Sequence, residues 1–450
     1  MIDSVQVKST FKHRTSRREE LPVSDAKTMR AEYKPYQRTG PPTQAHPRFL
    51  FYSHDGLGLG HTRRHVAVAR ALSELAPGAP ILLVTGADEV SGLGPDPIID
   101  VLKLPGLRKV SNDEYQSRRL PIAVSEIWKL RSALLRAAVK AFRPTVALVD
   151  KHPFGAKGEF RAGLAELRAA GSRAVLGLRD ILDEPDNVLR EWAPCRMQDR
   201  ISELYDRVLV YGESAVFDPV TEYEFPEALA HRTCFCGYVV NQDRAEAPTE
   251  SCATAPAAVE GGRPTVLATA GGGEDGFFLL QTFLRATAES SWNGIAVAGP
   301  MTPAGHLKTL QQLASRSGIK LHTFVPNLSH LFDAVDALVC MGGYNTLAEA
   351  VSKGVPTVCV PRVAPRREQL IRARSFERLG LLSVIAPDGL GVDTLNRTIH
   401  SLIGTPRQEL LRRANAVLNF DGARRAAGQL LELASSMHFG PAVVAERASK

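Results

Sequence analysis

The feature that most constrains the fold is a short apolar run that recurs along the chain, with segments of helical spacing between successive runs. The first group of runs lies at residues 48–53, 81–85, 101–104, 146–149, 174–178, 208–211 and 234–239. A second group lies at 265–269, 295–298, 321–325, 337–340, 357–360 and 382–385. Runs of this length, separated by helical segments such as 65–75 and 127–141, are typical of buried strands. The alternation predicts α/β architecture with parallel sheets covered on both faces.

A break in this pattern divides the chain. Residues 241–262 are rich in Ala, Pro, Glu, Ser and Thr and end in Gly261-Gly262, which predicts a linker. The sequence therefore predicts two doubly wound, Rossmann-like domains, at 47–240 and 263–450. Their ligands should bind beyond the carboxyl ends of the strands, in a cleft between the two halves. Residues 1–46 are expected to form a mobile tail, and a helix near 406–435 is expected to pack back on the first half.

Composition limits the possible partners. The 450 residues carry a net charge of +7, which suits an anionic partner, but no basic run is interleaved with aromatic residues as a nucleic-acid platform requires. The six cysteines are scattered, so neither a disulfide framework nor a metal site at Cys234-x-Cys236 is expected. With no long apolar run and no secretory signal, the chain is predicted to be cytoplasmic, with peripheral contact at the inner face of a membrane left open.

The loop after the first run contains three glycines and ends in a histidine: His54-Asp-Gly-Leu-Gly-Leu-Gly-His61. Gly58 and Gly60 allow a backbone to approach a ligand closely. A dinucleotide fingerprint does not fit, because position 61 is His and position 63 is Arg. A neutral His61 at this edge can take a proton from a sugar hydroxyl, although a capping or structural role competes. The HTRRH spacing of His61 and His65 lacks the Glu of a zinc motif.

Two loops in the second half suit a diphosphate. Gly271-Gly-Gly273 follows the first strand of this half, and a plain tight turn is its alternative. The turn Gly342-Gly343 leads to Asn345 and Thr346, which open a helix whose free N–H groups can hold phosphate. Glu349 is either a ribose ligand or the partner of Thr346 in a capping box. Further on, Glu368 and Gln369 can hold sugar hydroxyls and Arg366 can hold phosphate, or all three belong to a solvated face.

Together these residues resemble glycosyltransferases of the GT-B architecture, and in particular family 28 and its uncharacterised relatives. The resemblance covers about 48–390 and is most specific at 339–369. It implies that the first half binds an acceptor and the second half a nucleotide-sugar, with UDP as the expected nucleotide. It also implies transfer with inversion, with no metal and no cofactor besides the substrate nucleotide-sugar.

The resemblance implies a role for individual residues. His61 corresponds to the candidate base, and the acceptor side would include Gly58, Gly60, Asp150 and Asp180. The donor side would include the loop Gly271, Gly272 and Gly273, the strand end at Phe324 and Val325, the turn Gly342 and Gly343 with Asn345 and Thr346, and then Glu349, Arg366, Glu368 and Gln369.

The first loop departs from the family pattern, and this bears on the acceptor. It reads Gly-Leu-Gly-Leu-Gly-His, and Arg63-Arg64 stand where the family commonly has a proline. The acceptor is therefore expected to be a small molecule, glycan or lipid-linked alcohol other than the peptidoglycan precursor. The alternatives are a nucleotide-sugar hydrolase, a sugar 2-epimerase and a nucleotide-sugar-binding protein without catalysis.

Overall fold

The structure is a computed structural model that describes residues 46–54, 60–87, 99–111, 114–240, 262–325 and 327–436. Almost all of the predicted tail and linker, and Gly58, lie outside these ranges. The described residues belong to one unit that runs from His46 onward.

The first half is built on a seven-stranded parallel sheet with the order β3-β2-β1-β6-β7-β8-β9. Its strands are β1 (Phe49–Ser53), β2 (Ile81–Thr85), β3 (Ile99–Lys103), β6 (Val146–Asp150), β7 (Arg173–Arg179), β8 (Arg207–Tyr211) and β9 (Thr233–Phe235). Every residue of β1 and β6 is buried, since helices cover both faces of the sheet. A separate antiparallel hairpin pairs β4 (Leu107–Ser111) with β5 (Glu114–Ser117).

The second half is built on a six-stranded parallel sheet with the order β12-β11-β10-β13-β14-β15. Its strands are β10 (Thr265–Thr269), β11 (Asn293–Val297), β12 (Lys320–His322), β13 (Ala337–Cys340), β14 (Thr357–Cys359) and β15 (Ser383–Val384). Both sheets reverse their strand order beside their first strand, β1 or β10. Ligands of such sheets bind at this reversal point.

Helices connect the strands in both halves. In the first half they are α1 (Gly60–Leu75), α2 (Val124–Phe142), α3 (Arg161–Ala169), α4 (Pro185–Trp192), α5 (Met197–Leu204), α6 (Pro219–Glu222) and α7 (Glu227–Ala230). In the second half they are α8 (Phe277–Ala288), α9 (Ala304–Arg316), α10 (Tyr344–Ser352), α11 (Glu368–Arg378), α12 (Val392–Leu402), α13 (Arg407–Val417) and α14 (Gly422–Ser436).

The predicted fold class, two doubly wound parallel sheets, is confirmed. The apolar runs fall on the observed strands with shifts at their ends, and two differences matter. The run at 321–325 ends as a strand at His322, so Phe324 and Val325 lie in the following loop. The β4–β5 hairpin was not expected, because its strands carry charged and polar residues instead of an apolar run.

The final helix crosses to the first half. Helix α14 packs along α1 and also contacts β6 and β7. At its start, Gly422 lies so close to the carbonyl of Gly237 that a Cβ would come within 2.6 Å of the oxygen. Farther along, Arg207 at the start of β8 pairs with Glu432 at 2.9 Å. The last described helix, α14, is therefore part of the first half in space.

Candidate functional site

His61 lies in the first turn of α1, directly beside the carboxylate of Asp150 at the end of β6. Its Nδ1 is 2.5 Å from Asp150 Oδ2, and the side chain keeps 16% of its surface exposed. Asp150 itself is fully buried. Parallel strands end at the same edge of the sheet, which is why the start of α1 and the end of β6 meet here. The two residues form an imidazole–carboxylate pair at the reversal point of the first sheet.

The Asp150 carboxylate is held in its ionised form by a second partner, Arg64. Arg64 Nη2 donates to Asp150 Oδ1 at 3.0 Å and to Oδ2 at 2.8 Å. Burial alone would raise the pKa of Asp150, but Arg64 and then His61 hold that pKa well below its usual value. A short contact between an imidazole nitrogen and an ionised carboxylate requires a proton on the nitrogen. We therefore assign a proton to His61 Nδ1, and in the neutral form of the ring Nε2 is then the proton acceptor.

Arg64 also links the two halves of the molecule. Its guanidinium lies 4.7 Å from the ring centre of Tyr211 in the first half and 5.5 Å from that of Tyr344 in the second. Cations placed over aromatic faces are attracted by the ring quadrupole. One turn earlier, a Cβ on Gly60 would come within 3.3 Å of Asn345 Nδ2. The start of α1 therefore faces the start of α10 at close range.

His65, one turn after His61, is a core residue. It is fully buried and packs edge-on against Phe51, with ring centres 5.4 Å apart. Burial lowers the pKa of His65 to about 4, so it stays neutral near pH 7. Of the two histidines at i, i+4 spacing, His61 therefore belongs to the site and His65 to the core.

The turn after β13 has the form expected of a phosphate-binding turn. Gly342 has a φ of 84°, and Gly343 is the N-cap of α10, which begins at Tyr344. Asn345 and Thr346 therefore occupy the first turn, where the helix N–H groups have no intrahelical acceptor. The capping-box alternative for Glu349 is wrong: Gly343 carries the cap, no side chain caps the helix, and Glu349 falls in the second turn.

The glycine loop after β10 is a tight turn packed against the β11–α9 connection. Gly271 and Gly273 adopt φ values of 63° and 94°. A Cβ on Gly273 would come within 2.6 Å of the Ala298 carbonyl, whereas one on Gly271 would meet nothing within 4 Å. Open space at Gly271 leaves room for a ligand at the edge of the second sheet. Beyond β12 at the same edge, Phe324 is 43% exposed.

Glu368 and Gln369 begin α11, and one carboxylate oxygen there is unused. Arg362 Nη2 donates to Glu368 Oε1 at 2.7 Å, and the Arg362 backbone N–H donates to Gln369 Oε1 at 3.2 Å. Glu368 is buried, and its Oε2 has no hydrogen-bond partner among the described residues. A buried carboxylate oxygen without a donor is costly, so a hydroxyl donor from a ligand would satisfy it.

Arg366 faces the first half and is already engaged there. It pairs with Glu191 at 3.2 Å and lies 3.6 Å from Asp183. The same Asp183 accepts the backbone N–H of Arg367 at 2.8 Å, so a residue of the first half stabilises the start of α11. In this structure Arg366 contributes to the junction of the halves, and phosphate binding by it remains a prediction.

Asp180 has a partner that the sequence did not reveal. Arg372 of α11 donates to it through Nε and Nη2, both at 2.7 Å, and neither side chain has any exposed surface. Tyr238 donates a further hydrogen bond to Asp180 at 3.2 Å. Arg372 Nη1 also donates to the carbonyl of Gly342 at 2.9 Å. The predicted acceptor residue Asp180 thus holds the second half, and with it the turn after β13, against the first.

Neither a metal-ligand cluster nor a membrane-spanning helix is present in the part of the chain that the structure describes. No group of three or more His, Cys, Asp and Glu side chains is arranged to hold a metal ion in that part of the chain. None of its helices combines the length and the apolar character needed to cross a membrane.

A family model matches most of the second half. Residues 301–429 match the model of the glycosyltransferase family 28 C-terminal domain. The UDP-N-acetylglucosamine–N-acetylmuramyl-(pentapeptide) pyrophosphoryl-undecaprenol N-acetylglucosamine transferase of Baumannia cicadellinicola is 24% identical over 170 residues, which are 37% of this chain and 47% of that protein. The enzyme of the same name from Geobacillus kaustophilus is 30% identical over 151 residues, 32% of this chain and 40% of the other. The chain thus spans about half the length of the curated relatives it matches.

Solved structures resemble the whole described fold. The calicheamicin glycosyltransferase CalG4 has a TM-score of 0.56 and 19% identity, covering 88% of this chain and 100% of that one. MurG of Acinetobacter baumannii has a TM-score of 0.54 and 15% identity, covering 86% and 100%. The spinosyn forosaminyltransferase SpnP has a TM-score of 0.59 and 15% identity, covering 87% and 100%. The chain has the GT-B fold of these glycosyltransferases, with a family 28-like second half.

Proposed function

We propose that this protein transfers a sugar from a nucleoside-diphosphate sugar to a hydroxyl acceptor, with His61 as the general base. The observation that carries the proposal is the His61–Asp150 pair at the edge of the first sheet, opposite the helix start at Asn345 in the second. A candidate base that faces a helix N-terminus suited to phosphate supports glycosyl transfer from a nucleoside-diphosphate sugar. The family 28 match of the second half supports a nucleotide-sugar donor.

The donor is proposed to lie along the edge of the second sheet. Its diphosphate would lie against Gly342, Gly343 and the N–H groups of α10, with the loop Gly271–Gly273 beside it. Glu349 would bind the ribose, and the unused Oε2 of Glu368, together with Gln369, would accept hydroxyls of the sugar. The backbone near Phe324 and Val325 would read the base. UDP is the proposed nucleotide, because the curated relatives are named for UDP-N-acetylglucosamine.

The proposed reaction is one displacement. His61 Nε2 takes the proton of the acceptor hydroxyl as its oxygen bonds to the anomeric carbon, and the bond from that carbon to the diphosphate oxygen breaks. Asp150 stabilises the imidazolium that forms, and the positive end of α10 stabilises the negative charge on the leaving nucleoside diphosphate. Attack from the face opposite the leaving group inverts the anomeric centre. This scheme uses no metal, and the proposed location is cytoplasmic, with peripheral membrane contact.

The experiment is a measurement of UDP release from UDP-sugars with and without acceptor extract. We expect acceptor-dependent release, and we expect His61→Ala to lower kcat by about 10²-fold or more, the usual contribution of a positioned base. His231→Ala is the matched control, since His231 is an exposed histidine of the same half. Full activity of the His61 variant would exclude it as the base. Release without acceptor would indicate a hydrolase, and binding without turnover would indicate a non-catalytic protein.

A further inference from the structure

Two cations at the edge of the first sheet form no ion pair with the carboxylates near them, which include Glu368. Lys151 directly follows β6, and Arg179 is the last residue of the adjacent strand β7. Neither side chain forms an ion pair or hydrogen bond within the described ranges, and the Nε of Arg179 is both buried and unpartnered. The Lys151 backbone also has a φ of 63°, a conformation that costs a residue with a Cβ about 1 kcal/mol. The buried Nε of Arg179 is unfavourable unless a ligand supplies an acceptor for it.

The neighbouring arginines show how unusual this pair is. Arg64 is bound to Asp150, Arg372 to Asp180, and Arg362 to both Glu368 and Asp275. Buried cations in proteins are ordinarily paired in this way. Lys151 and Arg179 differ from these arginines because neither forms an ion pair among the described residues.

Burial and neighbouring cations disfavour the charged forms of both side chains. Burial, followed by the charge of Arg179 and then that of Arg366, lowers the pKa of Lys151 from 10.5 to about 7. Burial and then Arg372 lower the pKa of Arg179. Glu368 acts in the opposite direction on both groups, yet both pKa values stay lowered, so a further anion beside the two cations would stabilise their charged forms. Both side chains remain partly exposed, so such an anion can reach them.

The pair lies on the acceptor side, close to the proposed base. His152, which follows Lys151, packs against His54 with ring centres 4.6 Å apart, and His54 lies 5.6 Å from His61. Lys151 and Arg179 lie at strand ends of the first sheet, whereas the proposed diphosphate site lies at the edge of the second sheet. An anion bound here would be a neighbour of the hydroxyl that His61 deprotonates.

We propose that Lys151 and Arg179 bind a compact oxyanion of the acceptor, either a carboxylate or a phosphate monoester. This proposal rests on the proposed function, because it takes His61 to mark the acceptor side. The planar fork of an arginine beside a lysine ammonium suits an oxyanion with several acceptor oxygens. The acceptor is then an alcohol that carries a negative group near the hydroxyl to be glycosylated.

The test is calorimetric titration of the full chain with inorganic phosphate, alone and with saturating UDP. We expect phosphate to bind with and without UDP. We expect Lys151→Met and Arg179→Met each to weaken phosphate binding about tenfold or more while leaving UDP affinity within twofold, since a charge-assisted hydrogen bond is lost in each. Lys129→Met and Arg168→Met, which remove exposed cations of the same half, are the matched controls.

Three results would overturn the proposal. One is the absence of phosphate binding by the unaltered chain, and another is unchanged phosphate binding in both variants. A third is loss of phosphate binding when UDP is present, since this would assign the pair to the donor diphosphate. Failure of the proposed function has a separate signature: UDP would not bind at all. His61→Ala should retain phosphate binding, because the base is not part of the oxyanion site.

Discussion

Replacing Arg372 by Met tests whether one buried ion pair holds the two halves together. Arg372 and Asp180 are fully buried, come from different halves and share two hydrogen bonds of 2.7 Å. Among the described residues, the variant would leave Asp180 with the hydroxyl of Tyr238 and the backbone N–H of Ile181 as its donors. Removing one partner of a buried pair leaves an uncompensated charge, which costs about 3–5 kcal/mol.

This free energy converts into a measurable change in melting temperature. At about 2.1 cal/mol/K per residue, a unit of roughly 400 residues has an unfolding entropy near 0.8 kcal/mol/K, so a loss of about 4 kcal/mol lowers Tm by about 5 °C. Differential scanning calorimetry is the assay. Arg374→Met is the control, because Arg374 is an exposed residue of the same helix that pairs only with Glu377, and we expect its Tm to change by less than 1 °C.

A double variant separates the pair from its surroundings. Asp180→Leu with Arg372→Met replaces both charges by apolar groups, which is often nearly neutral for a buried pair. We expect the double variant to lose about 2 kcal/mol or more less unfolding free energy than the summed losses of the two single variants. Strictly additive effects, or a Tm of Arg372→Met within 1 °C of the unaltered chain, would refute the role assigned to the pair. Because Arg372 also binds the Gly342 carbonyl, the single variant should weaken UDP binding too.

Three further predictions concern the site. Arg64→Met should lower kcat about tenfold or more while leaving UDP affinity unchanged, because Asp150 then loses the partner that orients it toward His61. Equal kcat values for the variant and the parent would contradict this. Lys151→Met should raise Tm at pH 7, and the gain should shrink as the pH rises to about 10.5. The reason is that lysine in the unfolded chain keeps its proton up to about pH 10.5, whereas the folded Lys151 releases it near pH 7. The parent chain therefore gains stability between these two pH values. A Tm gain of the variant that does not change with pH would argue against a lowered pKa of Lys151. Gly60→Val should lower both kcat and UDP affinity, because its side chain would press on Asn345 of the proposed donor site. Unchanged values of both, measured by steady-state kinetics and by UDP titration, would contradict this.

The sequence predicted the sheets well because buried parallel strands are continuous apolar runs. Every residue of the run 146–149 is buried, as is every residue of β1. The β4–β5 hairpin escaped prediction, since residues such as Arg108, Lys109 and Glu114 hide its strand pattern. Local backbone rules were reliable where glycine was needed, as at Gly273 and Gly342.

The site was predicted less completely, because its charges are paired between elements far apart in the chain. His61 and Asp150 are 89 residues apart, and Asp180 and Arg372 are 192 apart. Nothing local to Asp180 shows that its partner lies on α11. Arg64 did have a local signal, because its i, i+3 spacing from His61 places both on one face of α1. The role of each site residue in binding and catalysis remains a prediction.

The return of α14 to the first half has a consequence for exchanging donor specificity between relatives. Consider a chimera in which everything after the linker is taken from a relative. The relative's own α14 would then pack on α1, β6 and β7 of the recipient, and would disturb the sheet that carries Asp150. The exchangeable unit is instead an internal segment that begins near Arg263 and ends before Gly422. Its graft must also keep Arg372, so that the buried carboxylate of Asp180 in the recipient is met by its own counter-charge.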